Sequence, residues 1–266
     1  MTEGNGEVTA FSTADGLGAN DVRTIFADRH GTIWAGTYGG GLSRFDGARF
    51  QTLSSRDGLP NDIVFALHES DAGLWVGTDG GVALLPRRAD GQIATEKGFP
   101  TFSIADGLFD DKIFPILADR KGTLRMSSTR GVHQVPEADH FARAADRQAK
   151  VRSIGYTRAD GMRATQCNGA SYPAGWATRD GHLWFPTVLG LVEIDPDDLK
   201  INGLAPPVVV EEVRVDGAAI DVSGRPELPA DLERLEIDFT GLSLAAPEKV
   251  RFRYRLEGSD RDWVDA

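Results

Sequence analysis

Residues 28–47 read DRHGTIWAGTYGGGLSRFDG, with Gly36, Gly39, Gly40 and Gly41 crowded into six positions. A glycine cluster of this kind cradles a phosphate when a helix N-terminus comes directly after it and aims its amides at the anion. Here the next residues, LSRFDGARF (42–50), alternate and turn around an Asp-Gly pair as a hairpin does. No Gly-Lys-Ser/Thr accompanies the cluster, and a second copy, GTDGGVALL (77–85), keeps the glycines in the same setting. The glycines are therefore expected to supply positive φ or close strand approach at a turn between two strands.

That second copy belongs to a longer pattern. Asp-Gly-Leu begins at Asp15, Asp57 and Asp106, and Asp-Gly-Met at Asp160, at separations of 42, 49 and 54 residues. A polar turn comes after each: DRHGTIW (28–34), ESDAGLW (69–75), DRKGTLR (119–125) and TRDGHLW (178–184). A third part then closes each unit: GTYGGGLSRFD (36–46), GTDGGVALLP (77–86), SSTRGVHQVP (127–136) and PTVLGLVEID (186–195). In the first unit the strand-like runs are VRTIFAD (22–28), GTIWAGT (31–37), LSRFD (42–46) and RFQTLS (49–54). Four antiparallel strands in about 42 residues is the size of one β-propeller blade. The fold class expected is thus all-β, with four four-stranded blades forming part of a larger ring. Trp34, Trp75 and Trp184 share one repeat position, where a large ring wedges between blades, and Arg125 replaces it in the third unit. Asp15, Asp57, Asp106 and Asp160 are expected to brace Asp-Gly turns, and Leu17, Leu59 and Leu108 to plug the blade interface.

Composition narrows the function classes. At 266 residues with 41% hydrophobic and 26% charged residues the chain has ample material for a core. A net charge of −11 argues against a nucleic-acid surface. The single cysteine, Cys167, excludes an internal disulfide and a multi-cysteine metal site, and is expected to be buried and inert. No apolar run reaches the length of a membrane helix, and MTEGNGEVTAF (1–11) has no signal-peptide pattern. None of His30, His68, His133, His140 and His182 pairs with a nucleophile in a recognisable elbow, and there is no zinc pattern. The expectation is no enzyme, no catalytic residue, no metal and no cofactor.

The stretch DGLPNDIVFALHESDAGLWVGTDGGVALL (57–85) closely resembles the two-component regulator propeller repeat. The fourth unit, 160–196, resembles the form that precedes the partner domain in that family. PPVVVEEVRVDG (206–217), LERLEIDFTGLSL (232–244) and VRFRYRLEGSDRDWVDA (250–266) resemble the Tyr-rich immunoglobulin-like module. Tyr254, Leu256, Glu257, Gly258, Asp262 and Trp263 fall on its pattern. The resemblance implies propeller repeats over 1–204 and a C-terminally incomplete immunoglobulin-like β-sandwich over 205–266. It also implies the extracytoplasmic, ligand-sensing part of a bacterial inner-membrane receptor, periplasmic in location. Output would pass to a histidine kinase or diguanylate cyclase outside this chain, with self-association through the full-length receptor and no membrane contact within these residues. Rings of this family commonly close with seven blades, so an open arc is expected from four. The fourth unit lacks an outer strand, and EVTAF (7–11) reads as an unpaired strand that would close against 190–195. PEADHFARAADRQAK (136–150) reads as a helical insertion, with Phe141 and alanines on one side, capping a blade edge at the surface.

In a blade meander, the loop leading into strand one and the turn joining strands two and three share a face. That face collects Tyr38, Asp79 and Arg130 as a candidate recognition surface, with Asn20, Asn61, Lys112 and Asn168 beside them. Amide, carboxylate, guanidinium and phenol groups suit a hydroxyl-rich small ligand such as an oligosaccharide. Two other readings stay open: a propeller-fold lyase or glycan-active enzyme, and a pure protein–protein assembly module.

Overall fold

Each Asp-Gly-Leu unit opens with a tight, internally satisfied turn that fixes where a blade begins. The Asp15, Asp57 and Asp106 carboxylates accept from the backbone amide and hydroxyl of Ser12, Ser54 and Ser103, at 2.8–3.2 Å, and Asp160 accepts from the Thr157 amide at 2.8 Å. One 3-10 turn spans each interval, and Gly16, Gly58, Gly107 and Gly161 end it in the left-handed region. The next residue, Leu17, Leu59, Leu108 or Met162, is buried.

The computed structural model describes residues 8–146, 149–169, 172–199, 206–221, 224, 228, 232–243, 250 and 252–265. The chain divides into two compact units, 1–199 and 200–266. The expected boundary at 204/205 lies outside the described residues.

Unit one carries the blades. The first is β1 (Val22–Ala27), β2 (Ile33–Thr37), β3 (Leu42–Phe45) and β4 (Phe50–Leu53). The second is β5 (Val64–Glu69), β6 (Gly73–Thr78), β7 (Gly81–Pro86) and β8 (Thr101–Phe102). The third is β9 (Ile116–Ala118), β10 (Thr123–Ser127), β11 (Val132–Pro136) and β12 (Ile154–Tyr156). The fourth has three strands among the described residues: β13 (Trp176–Ala177), β14 (Leu183–Thr187) and β15 (Gly190–Ile194). Each sheet is an antiparallel meander in chain order. This is the all-β, bladed architecture the repeat predicts.

The core is distributed between blades. Trp34 packs with Leu59, Val64, Leu67, Leu74 and Leu85 of the second blade. Trp75 packs with Leu108, Ile113, Ile116 and Leu124 of the third. Phe114 and Val132 of the third pack with Cys167, Leu183 and Phe185 of the fourth. Trp34 and Trp75 are fully buried wedges, as the repeat predicts. Trp184 is half-buried, with no fifth blade beyond it among the described residues.

One expectation needs correction. Val8–Phe11 forms no strand, and β15 is an edge with no partner from 8–11; Glu7 lies outside the described residues. Phe11 instead finds an apolar home edge-on against Phe45 and Phe50 of the first blade, at 5.1 and 5.7 Å between centroids. The insertion contains the expected helix, α1 (Glu137–Ala145), with residues 147–148 outside the described set; its buried residues are Asp139 and His140. Phe141 is 42% exposed, with its ring 6.4 Å from that of Trp75. His140 stands edge-on to Trp75 and Phe102, at 4.8 and 4.6 Å, so α1 lies over the interface of blades two and three. The Asp139–Arg152 and Arg143–Asp106 ion pairs hold its two ends.

Unit two consists of a three-stranded antiparallel sheet, with β16 (Val208–Val215) between β17 (Ala218–Ile220) and β18 (Leu235–Gly241), and a hairpin, β19 (Arg253–Tyr254) with β20 (Val264–Asp265). Phe252 packs edge-on against Phe239 at 5.1 Å, and the Arg255 guanidinium lies 5.5 Å from the Trp263 ring centre. No helix among the described residues is long and apolar enough to cross a membrane.

Candidate functional site

The glycine turns and the lead-ins to the next blade interlock on one face. In the first turn Gly39 and Gly41 adopt positive φ, and a side chain on Gly40 would collide with the Gly18 backbone at 2.1 Å. Close approach thus explains Gly40, and positive φ explains Gly39, whose Cβ position is open. The Gly39 and Gly41 amides both donate to the Asp62 carbonyl, at 3.0 and 2.8 Å, and Tyr38 forms a β-bridge with Ile63. The step repeats between later blades: the Ile113 amide donates to the Thr78 carbonyl and the Cys167 amide to the Ser128 carbonyl, while within blade two the Asp79 amide donates to the Ile63 carbonyl. Backbone hydrogen bonds thus stitch one continuous face from blade one to blade four.

The candidate residues are distributed along it. Tyr38 is 48% exposed, with the Arg23 guanidinium 4.7 Å from its ring centre. Asp79 and Lys112 form an ion pair at 2.6 Å between blades two and three. Arg130 lies 4.9 Å over the Phe109 ring and donates to the Phe109 carbonyl at 2.9 Å. Asn168 is exposed, and its backbone amide donates to the Pro186 carbonyl. Asn61 accepts from the Ile63 amide at 2.8 Å. The Asn20 carboxamide accepts from Thr13 at 3.0 Å, where Asp62 accepts from Ser55 and Asp111 from Ile104 in the next two units. Asn20 therefore occupies a scaffold position of the repeat. Of the seven, Asp79 and Lys112 are joined directly, while Tyr38 and Arg130 sit on their own blades. Sequence reasoning misses Arg23 and Phe109, which support Tyr38 and Arg130, because only the blade register brings them underneath.

The opposite turns show why Arg125 can replace a tryptophan. Asp28 accepts from the Trp34 indole and from the His30 and Thr32 amides, at 2.9–3.0 Å. Burial opposes its ionisation, but the indole and those amides hold its carboxyl below the usual range. Asp119 accepts from Arg125 at 2.9 Å in the same geometry, and both side chains are almost fully buried. The donor changes and the acceptor stays. Burial pushes the Cys167 thiol up, away from thiolate character. Among the described residues no group of three His, Cys, Asp or Glu side chains is placed to hold a metal ion.

Residues 16–39 match the two component regulator propeller family. No curated protein matches the sequence. Among solved structures, the extracellular domain of BT3049 from B. thetaiotaomicron, assigned to the hybrid two component systems, matches at 19% identity. It covers 97% of this chain and 34% of its own, with a TM-score of 0.64. The extracellular domain of BT4673 from the same organism, described as a one component system, matches at 16% identity, covering 94% of this chain and 45% of its own, with a TM-score of 0.51. Streptogramin B lyase matches at 18% identity over 70% of this chain and 57% of its own, but its TM-score of 0.41 is too low to carry an argument. The chain spans less than half the length of the two extracellular domains. These matches show the fold: propeller blades of the kind found in extracellular domains of two-component-type systems.

Proposed function

We propose that this chain is the ligand-sensing part of a bacterial two-component-type receptor. The observation that carries the reading is the agreement of a regulator-propeller repeat at 16–39 with a fold match over 97% of the chain to an extracellular domain of that class. In this reading the loop face binds a hydroxyl-rich small ligand, an oligosaccharide. Tyr38, the Asp79–Lys112 pair and Arg130 supply stacking and hydrogen-bonding groups, with Asn20, Asn61 and Asn168 beside them. Residues 205–266 form an immunoglobulin-like module that passes the altered packing of associated receptor chains to a kinase or diguanylate cyclase across the inner membrane. The ligand shifts a population between two packings by binding one better than the other.

A thermal-shift screen against an oligosaccharide library tests it. A ligand at 100 times its Kd adds about 2.7 kcal/mol to apparent stability. We expect at least one library member to raise Tm, and the triple variant Tyr38→Ala, Asp79→Ala, Arg130→Ala to lose that rise. No shift from any member, or an unchanged shift in the triple variant, rejects the reading.

A further inference from the structure

A second concave site lies on the inner strands and shares no residue with the loop-face candidates. Strand pairing sets Phe26 opposite Trp34, His68 opposite Trp75, Leu117 opposite Arg125, and Trp176 opposite Trp184. Directly opposed residues project from the same side of a sheet. Phe26, His68, Leu117 and Trp176 are thus one repeat position seen four times, and all four line a single cleft of about 260 Å³. Phe65 and Phe114, edge-on at 5.4 Å, line it as well.

Three features define what the cleft accepts. Trp176 and Tyr172 line it while remaining 61% and 56% exposed, so two aromatic faces stand open to a ligand. Among the described residues no Asp, Glu, Lys or Arg lines it. His68 brings an imidazole that burial keeps neutral, one nitrogen donating and the other accepting. Small-molecule pockets typically measure about 300–1,000 Å³, so this cleft holds a single ring.

We propose that Trp176, Tyr172 and His68 form a binding site for one uncharged six-membered ring with an apolar face, stacked on the aromatics and hydrogen-bonded at its edge to His68. Both an aromatic ring with a hydroxyl and a pyranose have this chemistry. The proposal stands whether or not the loop face binds a ligand.

NMR titration of the whole chain with p-cresol and with methyl β-D-glucopyranoside distinguishes the two sources. At least one should saturate with a Kd on the order of 1 mM, as befits about ten non-hydrogen atoms. Trp176→Ala should weaken that probe by about tenfold or more, Trp176→Phe by less than about threefold, and His68→Ala by several-fold. Circular dichroism checks that each variant is folded. If Trp176→Ala is not, Tyr172→Ala gives the same reading. Absence of saturation by either probe below about 50 mM overturns the proposal. So does binding that survives Trp176→Ala and Tyr172→Ala unchanged.

Discussion

Arg125 replaces a tryptophan at an interior position yet keeps the hydrogen bond that position requires, because Asp119 stands where Asp28 stands in the first blade. A buried, paired charge gains little over an apolar residue, but removing one partner leaves the other stranded. Arg125→Ala should therefore destabilise the chain by about 3–5 kcal/mol, read by urea unfolding. A loss under about 1 kcal/mol would mean that Asp119 is not stranded. The Trp positions were legible in the sequence because they recur. The acceptors beneath them were not, since a polar turn residue shows no sign of the partner its turn will present.

At the scale of the element, α1 shows how composition reveals a helix without revealing its most buried ring. Phe141 borders Trp75 at 6.4 Å, but the buried ring set against both Trp75 and Phe102 is His140. Burial lowers His140 to about 4, and does the same to His133, fully buried in β11. A free histidine protonates near 6.5, so between about 6.5 and 4 the unfolded chain binds protons that the folded chain refuses. Stability should fall as pH drops through that window, with no such loss above it. Urea unfolding at pH 7, 6 and 5 checks this, and His140→Phe should shrink the decline. A decline equally steep in that variant would assign it to other groups. The bracing aspartates of the Asp-Gly turns were legible by contrast, because their hydrogen bonds close within five residues, although the Ser/Thr donors three positions earlier emerge only from the structure.

For the whole molecule, the hydrophobic clusters each join neighbouring blades, so stability accumulates interface by interface. Trp75→Ala empties an interior interface and should cost about 3–5 kcal/mol in urea unfolding. Trp184→Ala, at a half-buried copy of the same position, should cost less than half as much. Equal losses would contradict the interface account. Blade count and blade strands were legible in the sequence because each unit repeats its own turn chemistry. The inner cleft was not: Phe26, His68, Leu117 and Trp176 share no residue type, and only the strand register reveals them as equivalent.

The outer edge of β15 has a practical consequence. Every blade ends in an outer strand whose backbone donors and acceptors face outward, but among the described residues β15, at 5 residues, is longer than β4, β8 and β12, with Leu189 before it and Leu191 on it at 63% and 67% exposure. Such an edge is adhesive toward any extended chain. In concentrated preparations of this chain, it is where edge-to-edge aggregation would begin, and a lysine at either leucine is the smallest change that would blunt it.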